Sequence, residues 1–267
     1  MATTRTKKKT AAAPANPADP DWLTWIPESP DGQDSYWVQS RGLALSLVLI
    51  APLILAYEVA LIWYAKPTGA GRFMKSVFYE VFHNHAGMVL NIVLAMFVLL
   101  AIIVLARRRR LRLRFIIPMV VESALWAVVV VLLAIVICQR LPNVQLTLGG
   151  SASTTFSNVV SSIGAGVYEE ILFRLGLTSA IFIGTHKLLK QRPGYAIGLA
   201  AVISAAAFAF CHIWAWEEPF KQPLIWFYLL FYFASGVFFA VLYMLRGLGV
   251  AVYTHVIYDI VVLLTNQ

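Results

Sequence analysis

The chain has 267 residues, of which 60% are hydrophobic and 13% charged, and a mean hydropathy of +0.76. Soluble domains run to about half apolar and about a quarter charged residues, so this composition excludes an ordinary soluble domain and points to a polytopic membrane protein. The formal net charge of +8 comes from Lys and Arg at the ends of apolar runs, a positive-inside pattern that argues against nucleic-acid binding.

Residues 1–40 begin with Arg5, Lys7, Lys8 and Lys9, continue rich in Pro and Ala, and carry Trp22, Trp25 and Trp37. They predict a cytoplasmic tail, disordered over about its first twenty residues for want of apolar surface and interfacial at the tryptophans. The charged start lies too far from the first apolar run to be a signal peptide. Residues 41–267 follow as one integral membrane domain. Apolar runs of spanning length fall at 43–65, 86–106, 115–138, 157–185, 195–214, 223–245 and 248–265. The fold class is therefore all-α, a transmembrane bundle of about seven spanning helices.

Between the second and third runs stands Arg107-Arg108-Arg109-Arg110-Leu111-Arg112-Leu113-Arg114, the strongest orientation signal. Placing it in the cytoplasm puts the amino terminus, the Lys187/Lys190/Arg192 loop and Arg246 inside, and the carboxyl terminus outside. Segment 66–85 is then external. Its His83 and His85, two apart, point different ways on a helix and read as a polar interfacial loop rather than a metal site. Cys138 and Cys211 fall in apolar runs and read as packing residues, with neither a disulfide framework nor a zinc knuckle behind them. Glu58 and Glu122 are isolated intramembrane acids, and spacing does not decide whether they face a cavity or pair with an arginine.

The fourth run contains Tyr168-Glu169-Glu170-Ile171-Leu172-Phe173-Arg174. A charged residue at membrane depth costs about 2.5–3.5 kcal/mol on insertion scales, so three of them demand a partner or a use. At about 100° per helical residue, Glu170 and Arg174 share a face and can pair. Glu169 is left over, available as a general base for activating water. Taken alone, the motif fits equally a neutralised cluster that locks helices together. His212, in Phe208-Ala209-Phe210-Cys211-His212, is by itself the kind of histidine that is ordinarily a packing residue. His255 and Asp259, four apart in the last run, share a face. Together these groups come from three spans, and intramembrane ionisable groups face the bundle interior, which defines a site inside the bundle.

The ordered trio Glu-Glu-x-x-x-Arg, Phe-x-x-x-His and His-x-x-x-Asp, each in its own hydrophobic run, resembles the type II CAAX prenyl endopeptidase family. This is also called the CPBP or ABI family of intramembrane glutamic proteases. The resemblance covers residues 157–265; the first three runs and the tail carry none of its motifs. It implies peptide-bond hydrolysis in the membrane, with Glu169 activating water, His212 as its catalytic partner, and His255 with Asp259 positioning water or stabilising the oxyanion. Glu170, Arg174 and Phe208 match supporting positions. Asp259 departs from the Asn common in members acting on CAAX substrates. An anionic acid is a poor donor to an oxyanion, so Asp259 either is protonated or orients His255 instead, and orientation of the histidine is expected.

No cofactor is expected. Zinc suits Glu and His, but there is no His-Glu-x-x-His, and two adjacent glutamates reach one ion only if the helix bends. The expected partners are a membrane-associated protein or peptide substrate and the lipid bilayer, and the expected location is a bacterial inner membrane. A non-catalytic membrane scaffold and a zinc-dependent protease are the alternatives. A proton-coupled transporter would call for inverted repeats, and none is visible. The span count places His212 near the outer face and Glu169 and His255 nearer mid-membrane, tilting the opening outward.

Overall fold

The computed structural model describes residues 21–25, 27–28, 35–63, 79, 85–107, 113–138, 155–214, 219–221 and 224–265. Among them every regular element is helical. A short α1 (Tyr36–Gln39) precedes α2 (Leu43–Trp63), α3 (Ala86–Arg107) and α4 (Ile116–Cys138). The fourth run is composite: α5 (Thr155–Glu169) passes directly into a π-helix, Glu170–Thr178, then α6 (Ser179–Phe182) and a second π-helical stretch, Ile183–Leu188. The bundle closes with α7 (Pro193–Trp214), α8 (Ile225–Arg246) and α9 (Leu248–Thr265).

Each of the seven expected runs is thus built from helix over its described residues. Five are long and apolar enough to cross a bilayer: Leu43–Ile62, Met88–Arg107, Leu113–Val136, Pro193–Ile213 and Ile225–Arg246. The composite run and α9 fall outside that set, and these are the two that carry the Glu-Glu-x-x-x-Arg and His-x-x-x-Asp motifs. Their polar residues interrupt the apolar length, and burial inside the bundle replaces lipid contact. α9 packs on α2, α4, α5 and α8, and Val250, Ala251, Val252, Thr254 and Val256 are all buried. A helix covered on every side is a core helix. α3 is the opposite case: it packs mainly against α2 and exposes Met96, Phe97, Leu99 and Leu100.

Small residues let these helices approach. A Cβ on Gly166 of α5 would lie 2.5 Å from Val256 Cγ2 and 2.9 Å from Val256 N of α9. The absence of a side chain there brings the two motif-bearing helices into backbone contact, as small residues do in membrane bundles. Gly166→Val is therefore expected to force α9 away from α5, at about 1–3 kcal/mol of overpacking, lowering the thermal midpoint of purified protein. An unchanged midpoint would mean that the contact yields freely.

The amino-terminal stretch is more deeply engaged than an interfacial tail. Trp22 is buried, edge-on to Phe182 (ring centroids 5.3 Å apart) and to Tyr243 (5.1 Å). Backbone hydrogen bonds from Leu43 to the Thr24 carbonyl and from Ala44 to the Trp25 carbonyl fasten the segment to the start of α2. Trp37, by contrast, is exposed, as an interfacial tryptophan should be.

A second anchor involves Glu122, one of the acids left open by spacing. Arg246, buried at the end of α8, donates to Glu122 from Nε and from Nη2 (2.8 Å). It also reaches Ser40 Oγ at 2.8 Å and the Trp37 carbonyl at 3.3 Å, with its guanidinium 4.3 Å from the Trp37 ring. The Tyr36 hydroxyl donates to the same carboxylate at 2.5 Å. Burial first, and then the Glu122 carboxylate, push the Tyr36 phenol up to about 12. Glu58, the other open acid, accepts from Tyr168 (2.5 Å) and from Asn91 of α3 (3.1 Å). Glu122 is thereby paired with a cation and Glu58 is hydrogen-bonded by neutral donors, which offsets part of the cost of burying each carboxylate.

Cys211 is exposed rather than packed inside the bundle, because its position on α7 turns it away from the core. The side chain of Cys138 lies outside the described residues, as does His83; His85 is exposed at the start of α3.

Candidate active site

The π-helical winding begins at Glu170, immediately after Glu169. Such winding pairs each N–H with the carbonyl five residues back, and hydroxyl groups support it here. Thr178 donates to the Phe173 carbonyl five residues earlier at 2.8 Å, and Ser204 of α7 donates to that same carbonyl at 2.8 Å. The wider turn separates the two neighbouring glutamates into different surroundings.

Glu170 is directed into the interior. It and Arg174 are both fully buried, with Arg174 Nε 3.2 Å from Glu170 Oε2, so the pairing anticipated from their spacing is present although the local winding is π. Three phenyl rings surround the guanidinium, with centroids at 4.7 Å (Phe208), 5.7 Å (Phe239) and 6.0 Å (Phe173). Cation–π attraction is strongest where water is excluded, and this enclosure accounts for Phe208 as a supporting residue. Nη1 and Nη2 find no hydrogen-bond acceptor among the described residues.

The other carboxylate oxygen of Glu170 accepts from His255 Nδ1 at 2.9 Å. This hydrogen bond fixes the tautomer and plane of the imidazole, which also stacks on Phe239 with centroids 4.7 Å apart. Asp259 lies 3.7 Å from the opposite nitrogen, Nε2, beyond hydrogen-bond length. The orienting hydrogen bond of His255 therefore comes from Glu170, while Asp259 and Glu169 both lie near Nε2.

Glu169 stands at the meeting point. Its Oε2 is 3.6 Å from His212 Nε2 and 3.9 Å from His255 Nε2. His212 is tethered from behind, its Nδ1–H donating to the Phe208 carbonyl at 2.8 Å, with the Phe208 ring against it at 4.3 Å. Nε2 of the neutral ring is then a bare acceptor. The structure thus brings Glu169, Glu170, Arg174, Phe208, His212, His255 and Asp259 into one cluster. His212 sits beside Glu169. Its side chain is 25% exposed, against 12% for Glu169, 7% for His255 and 6% for Asp259, so the cluster is approached from the His212 side. Among the described residues no group of three or more His, Cys, Asp or Glu side chains is arranged to hold a metal ion.

One contributor was not visible from spacing. Tyr232 of α8 stacks on His212, centroids 4.4 Å apart at 28°, but in sequence it stands within an aromatic stretch, Phe231-Tyr232-Phe233, where nothing sets it apart.

Residues 151–261 match the family model described as type II CAAX prenyl endopeptidase Rce1-like. That stretch, somewhat less than half of the chain, is similar to the CAAX protease family. No curated protein and no solved structure matches it. The matched region runs from just before α5 into α9 and includes all three motifs, so the family match and the side-chain cluster rest on the same stretch of the chain. With its long apolar helices, the chain is an integral membrane protein.

Proposed function

We propose that the chain is an intramembrane glutamic endopeptidase that cleaves a peptide bond in a membrane-associated protein or peptide. The observation that carries this is the facing of Glu169 Oε2 and His212 Nε2 across 3.6 Å, at the more accessible edge of a buried cluster. Both atoms are acceptors, so a water beside them donates one hydrogen to each and turns a lone pair outward. That oxygen attacks the scissile carbonyl carbon as Glu169 takes the proton. When the tetrahedral intermediate collapses, Glu169 returns the proton to the leaving nitrogen, the C–N bond breaks, and a carboxylate and an amine are released. Glu170, neutralised by Arg174, holds His255 in place, and Asp259 lies 3.7 Å from the Nε2 of that ring.

A zinc-dependent mechanism would draw on the same Glu and His atoms. The two are separated by experiment: purified protein in liposomes is expected to cut membrane proteins at an unchanged rate after chelation, with new termini followed by mass spectrometry. Loss of cutting on chelation, restored by zinc, would transfer the reading to a metalloprotease, and no cutting by untreated protein would leave only the scaffold reading. The positive-inside pattern supports a cytoplasmic amino terminus, and we place the protein in a bacterial inner membrane.

A further inference from the structure

An oxyanion forming beside Glu169 needs hydrogen-bond donors, and the motif residues are poor sources of them. Glu169, Glu170 and Asp259 are acceptors when ionised. His212 spends its Nδ1–H on the Phe208 carbonyl; His255 spends its own on Glu170, and its Nε2 is held between the carboxylates of Glu169 and Asp259, 3.9 and 3.7 Å away. Arg174 is fully buried behind Glu170.

α8 carries none of the three motifs, yet it delivers a phenol to this spot. The Tyr232 ring lies nearly parallel against the His212 imidazole, 4.4 Å away at 28°, on the edge of the cluster that is open to substrate. The residue is partly buried, and its neighbour Phe231 packs against it at 5.6 Å and is itself in the core, which fixes the ring. A phenol is a neutral donor that keeps its proton at physiological pH, and with two rotatable side-chain torsions it is held at low entropic cost.

We propose that Tyr232 is a further catalytic residue: its hydroxyl donates a hydrogen bond to the oxyanion formed at the scissile carbonyl, while its ring holds His212 in register with Glu169. This role rests on the glutamate-base reading above.

The test uses full-length protein in liposomes and a membrane extract as substrate, with new termini quantified by mass spectrometry and kinetics measured on a synthetic copy of the best-cut peptide. Tyr232→Phe keeps the stack and removes only the hydroxyl. It is expected to lower kcat by about 10²-fold, the scale of one lost oxyanion donor, with KM and the thermal midpoint unchanged. Tyr232→Leu removes the stack as well and is expected to be slower still. Wild-type kcat in Tyr232→Phe, or an effect confined to KM, overturns the proposal even if Tyr232→Leu is impaired, since the ring alone would then account for the residue. Glu169→Gln is run alongside: if it retains full activity, the glutamate-base reading fails; if it is inactive while Tyr232→Phe is not, only the role of Tyr232 fails.

Discussion

Arg174→Met is expected to be among the most destabilising single substitutions in the bundle. Glu170 and Arg174 are both fully buried, and removing one partner of a buried ion pair strands the other charge, at about 3–5 kcal/mol. The loss spreads to chemistry, because Glu170 also holds His255 by Nδ1, and a protonated or displaced Glu170 no longer orients that ring. Purified Arg174→Met should therefore show a much lower thermal midpoint together with a loss of cleavage. The double substitution Glu170→Gln with Arg174→Met removes both charges and is expected to recover most of the midpoint, since a neutral pair carries no uncompensated charge. Equal destabilisation in the single and double variants would contradict this. The guanidinium would then matter for filling the space between Phe173, Phe208 and Phe239 rather than for its charge.

Much of this architecture was legible in the sequence because hydropathy acts over lengths near twenty residues, which the bilayer imposes. The helices from Leu43–Trp63 to Leu248–Thr265 follow runs that could be marked on the chain. The Glu170–Arg174 pair was legible for a local reason, a spacing of four residues that places both on one helical face. What spacing could not reveal depends on contacts distant in sequence. His255 takes its orientation from Glu170, 85 residues away, and Glu122 is neutralised by Arg246, 124 residues away. Nothing near either acid announces its partner. The π-helical turn after Glu169 was equally hidden, because the hydroxyl of Ser204 that supports it comes from another helix. Trp22 reads as interfacial until the Phe182 and Tyr243 rings are known to receive it. The depth expected for His212 came from counting residues along separate spans, which says nothing of how far one helix is shifted along its neighbour.

The largest kinetic effect is expected from Glu169→Gln. The amide matches the carboxylate in shape and still hydrogen-bonds, but it cannot accept a proton from water, and a positioned general base contributes about 10²–10⁴-fold to rate. Because Glu169 forms neither the Glu170–Arg174 pair nor the tethers of the two histidines, the substitution should leave the fold and the thermal midpoint intact and act on kcat rather than KM. The decisive measurement compares wild-type and Glu169→Gln proteins, each purified and reconstituted in liposomes, by mass spectrometry of the new termini they generate from the same membrane extract. Termini produced by the wild type and absent, or formed at least about 10²-fold more slowly, with a folded Glu169→Gln protein are the predicted result. The same termini appearing at the same rate with both proteins would contradict the assignment of Glu169 as the base.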